Sequence, residues 1–194
     1  ASFLTEQFDE PVFTQLSVED YFKKKGGGEF ERNYAYSNAK EFDSDFMKFA
    51  QVANMYIPCH FWDAEGPNVF SKEELASTEF NIDVIADISC DIAGPIPSTI
   101  RPSTVDLPIY EVNKKTLEEV ALSSKDNVTV MAVDNLPCEL PKDASEDFGV
   151  ELLNNILPAL IKADPNSIID RATIAKDGDL NSHFEYLRGY LEGK

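Results

Sequence analysis

Basic residues are scarce in this chain: 17 Lys and Arg stand against 35 Asp and Glu in 194 residues, a formal net charge of −18. A negative field of that size repels nucleic-acid phosphates and anionic lipid headgroups, so neither nucleic acid nor a membrane surface is an expected partner. Long hydrophobic runs are also missing. No segment approaches the roughly 18–20 apolar residues that span a bilayer, and residues 1–10 lack the basic region followed by an apolar stretch that marks a signal peptide. A cytoplasmic location is the resulting expectation. The three cysteines, Cys59, Cys90 and Cys138, form no CxxC pair, and two histidines, His60 and His183, form no HExxH. A disulfide framework and a dedicated metal site are therefore not expected, and the thiols should be reduced and mostly buried. The nine glycines never take GxGxxG spacing, and there is no P-loop and no GxSxG elbow to hold a nucleophile.

The remaining composition, 43% hydrophobic and 27% charged, is that of a globular protein. Apolar β-rich runs at residues 12–16, 55–61, 82–88, 107–112 and 127–133 read as strands. Between them, Phe42, Phe46, Phe49 and Ala53 recur at helical spacing and predict a helix over 39–53. Ser17 with Asp20 caps a turn at 18–22, and Ser71 with Glu74 forms a capping box that opens a short helix. Lys23 through Gly28 (KKKGGG) reads as an exposed loop, because three glycines cost backbone entropy in any regular element. Beyond Pro141 the strand-forming runs stop. Phe148, Leu152, Leu153 and Ile156 are helical in spacing, Pro158 should kink or break that helix, and two further helices are expected at 168–174 and 183–191 around the turn 176–179. Strands alternating with helices, the strands nearly continuously apolar, predict an α/β fold with a parallel sheet covered on both faces. The composition change divides the chain into 1–140 and a helical segment, 141–194.

In open α/β sheets ligands bind beyond the carboxyl ends of strands, which directs attention to the residues that follow each apolar run. Cys59, His60, Phe61, Trp62 and Asp63 follow the first well-defined strand. Asp87, Ile88, Ser89, Cys90, Asp91 and the turn Gly94-Pro95 follow the next, and Asp134 and Asn135 follow the run at 127–133. A less sharp place is 102–106. Two readings of the segment 87–95 stay open: a polar shelf for substrate or cofactor, or a strand-end turn in which Ser89 and Asp91 satisfy neighbouring backbone N–H groups. His60 reads first as a half-buried structural histidine and second as a catalytic one. His183 reads as solvated.

The run from Val130 through Asp134-Asn135-Leu136-Pro137 to Leu140-Pro141 and Ala144-Ser145 resembles the C-terminal signature of the saccharopine dehydrogenase (lysine-forming) and lysine–ketoglutarate reductase family, which is related to alanine dehydrogenase. Asp87-Ile88-Ser89-Cys90-Asp91 resembles that family's Asp-(Ile/Val)-Ser-Ala-Asp segment, and Cys59-His60-Phe61-Trp62 followed by Pro67 its strand-end aromatic motif. The matches cover about residues 55–159. The resemblance implies an NAD(P)-dependent oxidoreductase that interconverts saccharopine with lysine and 2-oxoglutarate. It also implies that this chain is the C-terminal half of the Rossmann-like sheet followed by C-terminal helices, with 1–140 a partial NAD(P)-binding domain and 141–194 packing toward the substrate domain. By the same resemblance Phe61, Ile88, Val133, Asp134, Asn135 and Leu136 would bind the cofactor, NAD or NADP, and Ser89, Cys90 and Asp91 the amino-acid or 2-oxo-acid substrate. Phe61 stands where family members often carry Tyr. The family's catalytic Lys and His and its phosphate-binding glycine turn lie upstream of anything here. No catalytic residue is therefore assigned, the chain alone is expected to be inactive, and its partner is the missing N-terminal half or a second copy. An alanine dehydrogenase-like segment and a non-catalytic binding or assembly module are the alternatives.

Overall fold

A computed structural model describes residues 2–60, 66–122 and 126–193. The chain divides into two compact units, Ala1–Leu136 and Pro137–Lys194.

The described residues of the first unit carry seven strands: β1 (Phe22–Lys24), β2 (Phe42–Ser44), β3 (Met55–Tyr56), β4 (Val84–Ala86), β5 (Ile109–Asn113), β6 (Glu119–Val120) and β7 (Asn127–Met131). Its helices are α1 (Val18–Tyr21), α2 (Arg32–Ser37), α3 (Met47–Ala50) and α4 (Lys72–Leu75). Five strands form one sheet in the order β3-β4-β7-β5-β6. β3, β4 and β7 run parallel, whereas β5 is antiparallel to both β7 and β6. The α/β class expected from the sequence is the one observed, but the sheet is mixed. One antiparallel pair has a local cause: the Asn113 side-chain carbonyl accepts the N–H groups of Lys115 and Thr116 at 3.0 and 3.1 Å, closing a tight turn that returns the chain from β5 to β6 as a hairpin.

β7 is the spine of this sheet. Its Val128 and Val130 are completely buried, flanked by Ile85 of β4 and Tyr110 and Val112 of β5. Against the sheet packs an aromatic cluster in which Phe46 lies 4.6 Å from Tyr56 and 5.9 Å from Phe70, and Phe70 lies 5.0 Å from Phe80, centroid to centroid.

Local sequence signals explain the short helices. Ser71 caps α4 reciprocally with Glu74: the Ser71 hydroxyl accepts the Glu74 N–H at 3.1 Å and the Glu74 carboxylate accepts the Ser71 N–H at 2.7 Å. Ser71→Ala should lower stability by about 1 kcal/mol, measurable as a shift in the urea midpoint with an unchanged slope. At α1 the Asp20 carboxylate accepts the Ser17 N–H at 2.7 Å.

Two expected elements take another form. The predicted helix over 39–53 is a 3₁₀ turn (Ala39–Glu41), then β2, then α3. Phe42 is buried in β2, in ladder with Lys24 of β1 and against the Phe30 ring at 5.3 Å, so tertiary pairing overrides a spacing that also fits a helical face. The run at 12–16 forms no strand; among the described residues it joins no ladder, and Phe13 is 94% exposed. Lys23 and Lys24 belong to β1, while Gly26, Gly27 and Gly28, all at positive φ, make the turn beyond it. That turn leads toward α2, and it opens no helix of the kind a phosphate-binding loop needs.

The second unit holds α5 (Pro141–Glu151), α6 (Leu157–Ile161), α7 (Ile168–Ala172), the hairpin β8 (Ala175–Lys176) and β9 (Asp179–Leu180), and α8 (Arg188–Leu191). A π-helical turn, Leu152–Ile156, joins α5 to α6. Pro158 has no N–H for the carbonyl four residues back, and a widened turn before it accommodates this where a kink or break was expected. The β8–β9 turn places Asp177 and Gly178 both at positive φ, as a two-residue hairpin requires. No side chain on α5–α8 is buried within this unit. Phe148, Leu153 and Ile161 are each more than 60% exposed.

Candidate functional site

The carboxyl ends of β3, β4 and β7 meet at one edge of the first unit. The Asp87 N–H donates to the Met131 carbonyl at 2.7 Å, tying the end of β4 to the end of β7, and the Ile88 N–H donates to the Pro58 carbonyl at 3.0 Å, tying it to the chain leaving β3. Beyond β7, Val133 is bridged in parallel to Ser103. The buried Ser103 hydroxyl accepts the Ala132 N–H at 2.9 Å and donates to the Pro108 carbonyl at 2.8 Å, so the backbone stays paired after the ladder has ended.

Asp87 organises the loop that leaves β4. It is fully buried. One carboxyl oxygen accepts the Ser89 N–H at 3.0 Å, the Ser89 hydroxyl at 2.5 Å and the Cys90 N–H at 3.2 Å; the other accepts the Thr99 hydroxyl at 2.6 Å. The Cys90 thiol donates to the Asp87 carbonyl at 3.2 Å. Wrapped this tightly, Cys90 and Ala93 both adopt a φ of 53°. Ile88 projects outward, 40% exposed, and Ser89, Cys90 and Asp91 are half-buried.

Carboxylates from two of the strand ends bear on the groups gathered here. Burial pushes the Cys90 thiol up from its ordinary value, and Asp87, Asp134 and Asp91 add to the effect in that order. Burial holds His60 down, opposed by Asp87 and Asp91. His60 Nε2 is enclosed and has no hydrogen-bond partner among the described residues. Desolvation raises the Tyr56 hydroxyl. For His60 the sign of the linkage is definite. The folded protein binds its proton less readily than the unfolded chain, whose histidine titrates near ~6.5, so stability falls as pH drops below that value toward the folded pKa. His60→Phe should flatten the pH dependence of the unfolding midpoint in that window.

Of the residues singled out in the sequence, Ile88, Ser89, Cys90, Asp91, Val133, Asp134, Asn135 and Leu136 all lie at or next to this edge. Val133 is 3% exposed and so is enclosed by the protein, whereas Asp134 and Asn135 are exposed. Phe61 lies outside the described residues. Cys59 and Cys138 are exposed, contrary to the expectation of buried thiols, and all three cysteines are free. Exposed His183 stands 3.9 Å from Asp170. Sequence reasoning overlooked Thr99, which stands in an irregular segment where no periodicity marks a buried position, and reached Ser103 only as part of the less sharp place 102–106.

A second feature is a cleft of about 770 Å³ between residues 12–18 and the outer side of β3, floored by Tyr21, Phe46, Tyr56 and His60. β3 is the edge of the sheet, with a neighbour on one side only among the described strands. Among the described residues no group of three or more His, Cys, Asp or Glu could hold a metal ion, and no helix is long and apolar enough to cross a membrane.

The chain is 28% identical over 166 residues to an α-aminoadipic semialdehyde synthase of Arabidopsis thaliana, covering 81% of this chain and 16% of that protein. It resembles the lysine-metabolism family. The saccharopine dehydrogenase [NAD(+), L-lysine-forming] of Neurospora crassa is 28% identical over 109 residues, 54% of this chain and 27% of the dehydrogenase. The mitochondrial α-aminoadipic semialdehyde synthase of Mus musculus is 27% identical over 212 residues, 93% of this chain and 22% of the synthase. The resemblance first carried by three strand-end motifs thus extends over much of the chain. It spans between 16% and 27% of the length of these relatives. No family model matches it.

Proposed function

We propose that this chain is the C-terminal part of an NAD(P)-dependent oxidoreductase of the saccharopine dehydrogenase type. In this reading 1–140 supplies the later strands of the cofactor-binding sheet and 141–194 packs toward a substrate domain. The observation that carries it is the convergence of the β3, β4 and β7 carboxyl ends on one edge, in a chain similar to saccharopine dehydrogenases. The residues present fit the nicotinamide side of the cofactor. Ile88 offers an exposed apolar face, and Asp134 and Asn135 offer exposed polar groups beyond the end of β7. They do not supply a phosphate turn: the glycine triplet is a solvent-exposed turn beyond β1.

When bound, the cofactor would supply or accept the hydride that interconverts saccharopine with lysine and 2-oxoglutarate; Ser89, Cys90 and Asp91 would orient the amino-acid or 2-oxo-acid substrate beside it. The unpaired side of β3 and the cleft beside it suit the strand that an upstream half would add, since a half-sheet leaves an edge and apolar surface to be covered.

Calorimetry tests this with the chain as it stands. NADH should show no micromolar binding, because the phosphates have no holder; micromolar affinity would contradict the half-site reading. The product of the complete natural reading frame should oxidise NADH or NADPH when given lysine and 2-oxoglutarate together and neither alone. No oxidation with that pair would exclude the proposed substrates.

A further inference from the structure

We infer that Asp87 is a positioning residue for this edge, holding the segment 88–91 in the geometry that meets cofactor and substrate. The inference rests on the reading just given.

The Asp87 side chain is fully buried and so cannot touch a ligand. Its four hydrogen-bond partners are all donors, drawn from two places in the chain: Ser89 and Cys90 immediately after it, and Thr99 twelve residues on. Only a carboxyl group offers two acceptor oxygens in that arrangement; an amide offers one. The result is a clasp that joins both ends of the 88–99 loop and holds Cys90 at a φ of 53°, a backbone region that residues other than glycine seldom enter. Turning Cys90 over in this way sets the direction of the three residues around it. Ile88 points outward, and Ser89 and Asp91 remain accessible beside Asp134, whose charge is felt at Cys90. Gly94 closes the same loop, donating its N–H to the Asp91 carbonyl at 2.9 Å.

Cys90 reports on the clasp, because its N–H and thiol both bond to Asp87. The groups that bear on its titration are Asp87, Asp91 and Asp134. Alkylation by iodoacetamide can be followed at each cysteine by peptide mass spectrometry as a function of pH, in the 194-residue chain. In the unaltered protein Cys90 should react slowly, with its pH midpoint raised above the ordinary thiol value by burial and the neighbouring carboxylates. Asp87→Ala should accelerate alkylation at Cys90 by about tenfold while leaving Cys59 and Cys138 unchanged. Asp87→Asn keeps an acceptor for Ser89 and Cys90 and presents an amide to the Thr99 hydroxyl, so it should stay within about threefold of the unaltered rate. Thr99→Val removes one bond and keeps the rest, and should fall between them; it decides the matter if Asp87→Ala does not fold.

Nicotinamide riboside carries the ring and ribose without the phosphates that these residues cannot hold. At millimolar concentration it should slow Cys90 alkylation in the unaltered chain and in Asp87→Asn, and lose that effect in Asp87→Ala and Thr99→Val. Absence of protection in the unaltered chain would overturn the reading of the edge as the nicotinamide side. Protection in the unaltered chain that persists undiminished in folded Asp87→Ala or Thr99→Val would overturn the positioning role and leave that reading intact.

Discussion

Phe46→Ala should destabilise the first unit by about 3–5 kcal/mol. Phe46 is 2% exposed and stands among four other rings: Tyr56 at 4.6 Å, Phe70 at 5.9 Å, Phe49 at 6.2 Å and Tyr21 at 6.4 Å, the last nearly perpendicular at 89°. Deleting the ring forfeits its own transfer free energy and leaves a void whose walls are rigid aromatics, which relax poorly. Ring pairs of this kind contribute about 0.5–1.5 kcal/mol beyond area burial. Because Phe46 also floors the cleft, the void should open into it. Urea unfolding followed by circular dichroism gives the loss, and Phe46→Leu, which keeps most of the apolar volume, should recover more than half of it. A loss below about 1 kcal/mol for the alanine variant would mean that this cluster is not part of the core.

Gly94→Ala should cost about 1–3 kcal/mol, the usual range for overpacking, and should act on the strand-end loop rather than on the sheet. A Cβ at Gly94 would lie 2.7 Å from both the Asp91 Cβ and the Asp91 carbonyl oxygen. No torsion of a flexible side chain removes that clash, since one of the two atoms is backbone, so the loop must open and the Asp91 carbonyl must move off the Gly94 N–H. Amide hydrogen exchange should therefore quicken at Gly94 and through 88–93 while the amides of β7 keep their protection. By contrast, Gly149 and Gly189 have open space where a Cβ would fall, and alanine there should not weaken the fold.

What was legible in the sequence was local. The Ser71–Glu74 box could be read because both halves of the interaction lie within one turn of helix. The run at 127–133 could be read because it is the most β-branched in the chain, with Val128, Thr129, Val130 and Val133. The strand-end residues 88–91 and 133–136 were found by a rule about sheets, that ligands gather at carboxyl ends, joined to motif resemblance. The helix over 39–53 failed because phenylalanines at 42, 46 and 49 suit a helical face and also suit a strand, a turn and a short helix that each bury one ring. Only the pairing of β2 with β1 distinguishes the two. Residues 12–16 have the composition of a strand, but composition supplies no partner, and without one they run beside the cleft unpaired.

Asp87 shows where the boundary falls. In the sequence it stood first in a polar segment for which two readings stayed open, a ligand shelf and a strand-end turn, with the turn favoured. In the structure its side chain belongs to the turn, and the residues beyond it form the exposed edge. That division depends on Thr99, twelve residues downstream in a stretch with no period to mark it, and on the Met131 carbonyl forty-four residues away. By itself the sequence determined the charge that disfavours phosphate backbones, the α/β class, the caps and turns, and the family resemblance, because each depends on residue types or on neighbours within a few positions. Which carboxyl is buried, which strands run antiparallel, and which strand ends share an edge were decided only by the tertiary structure, because hydrogen bonds and packing between distant segments select one arrangement from several that local preferences allow.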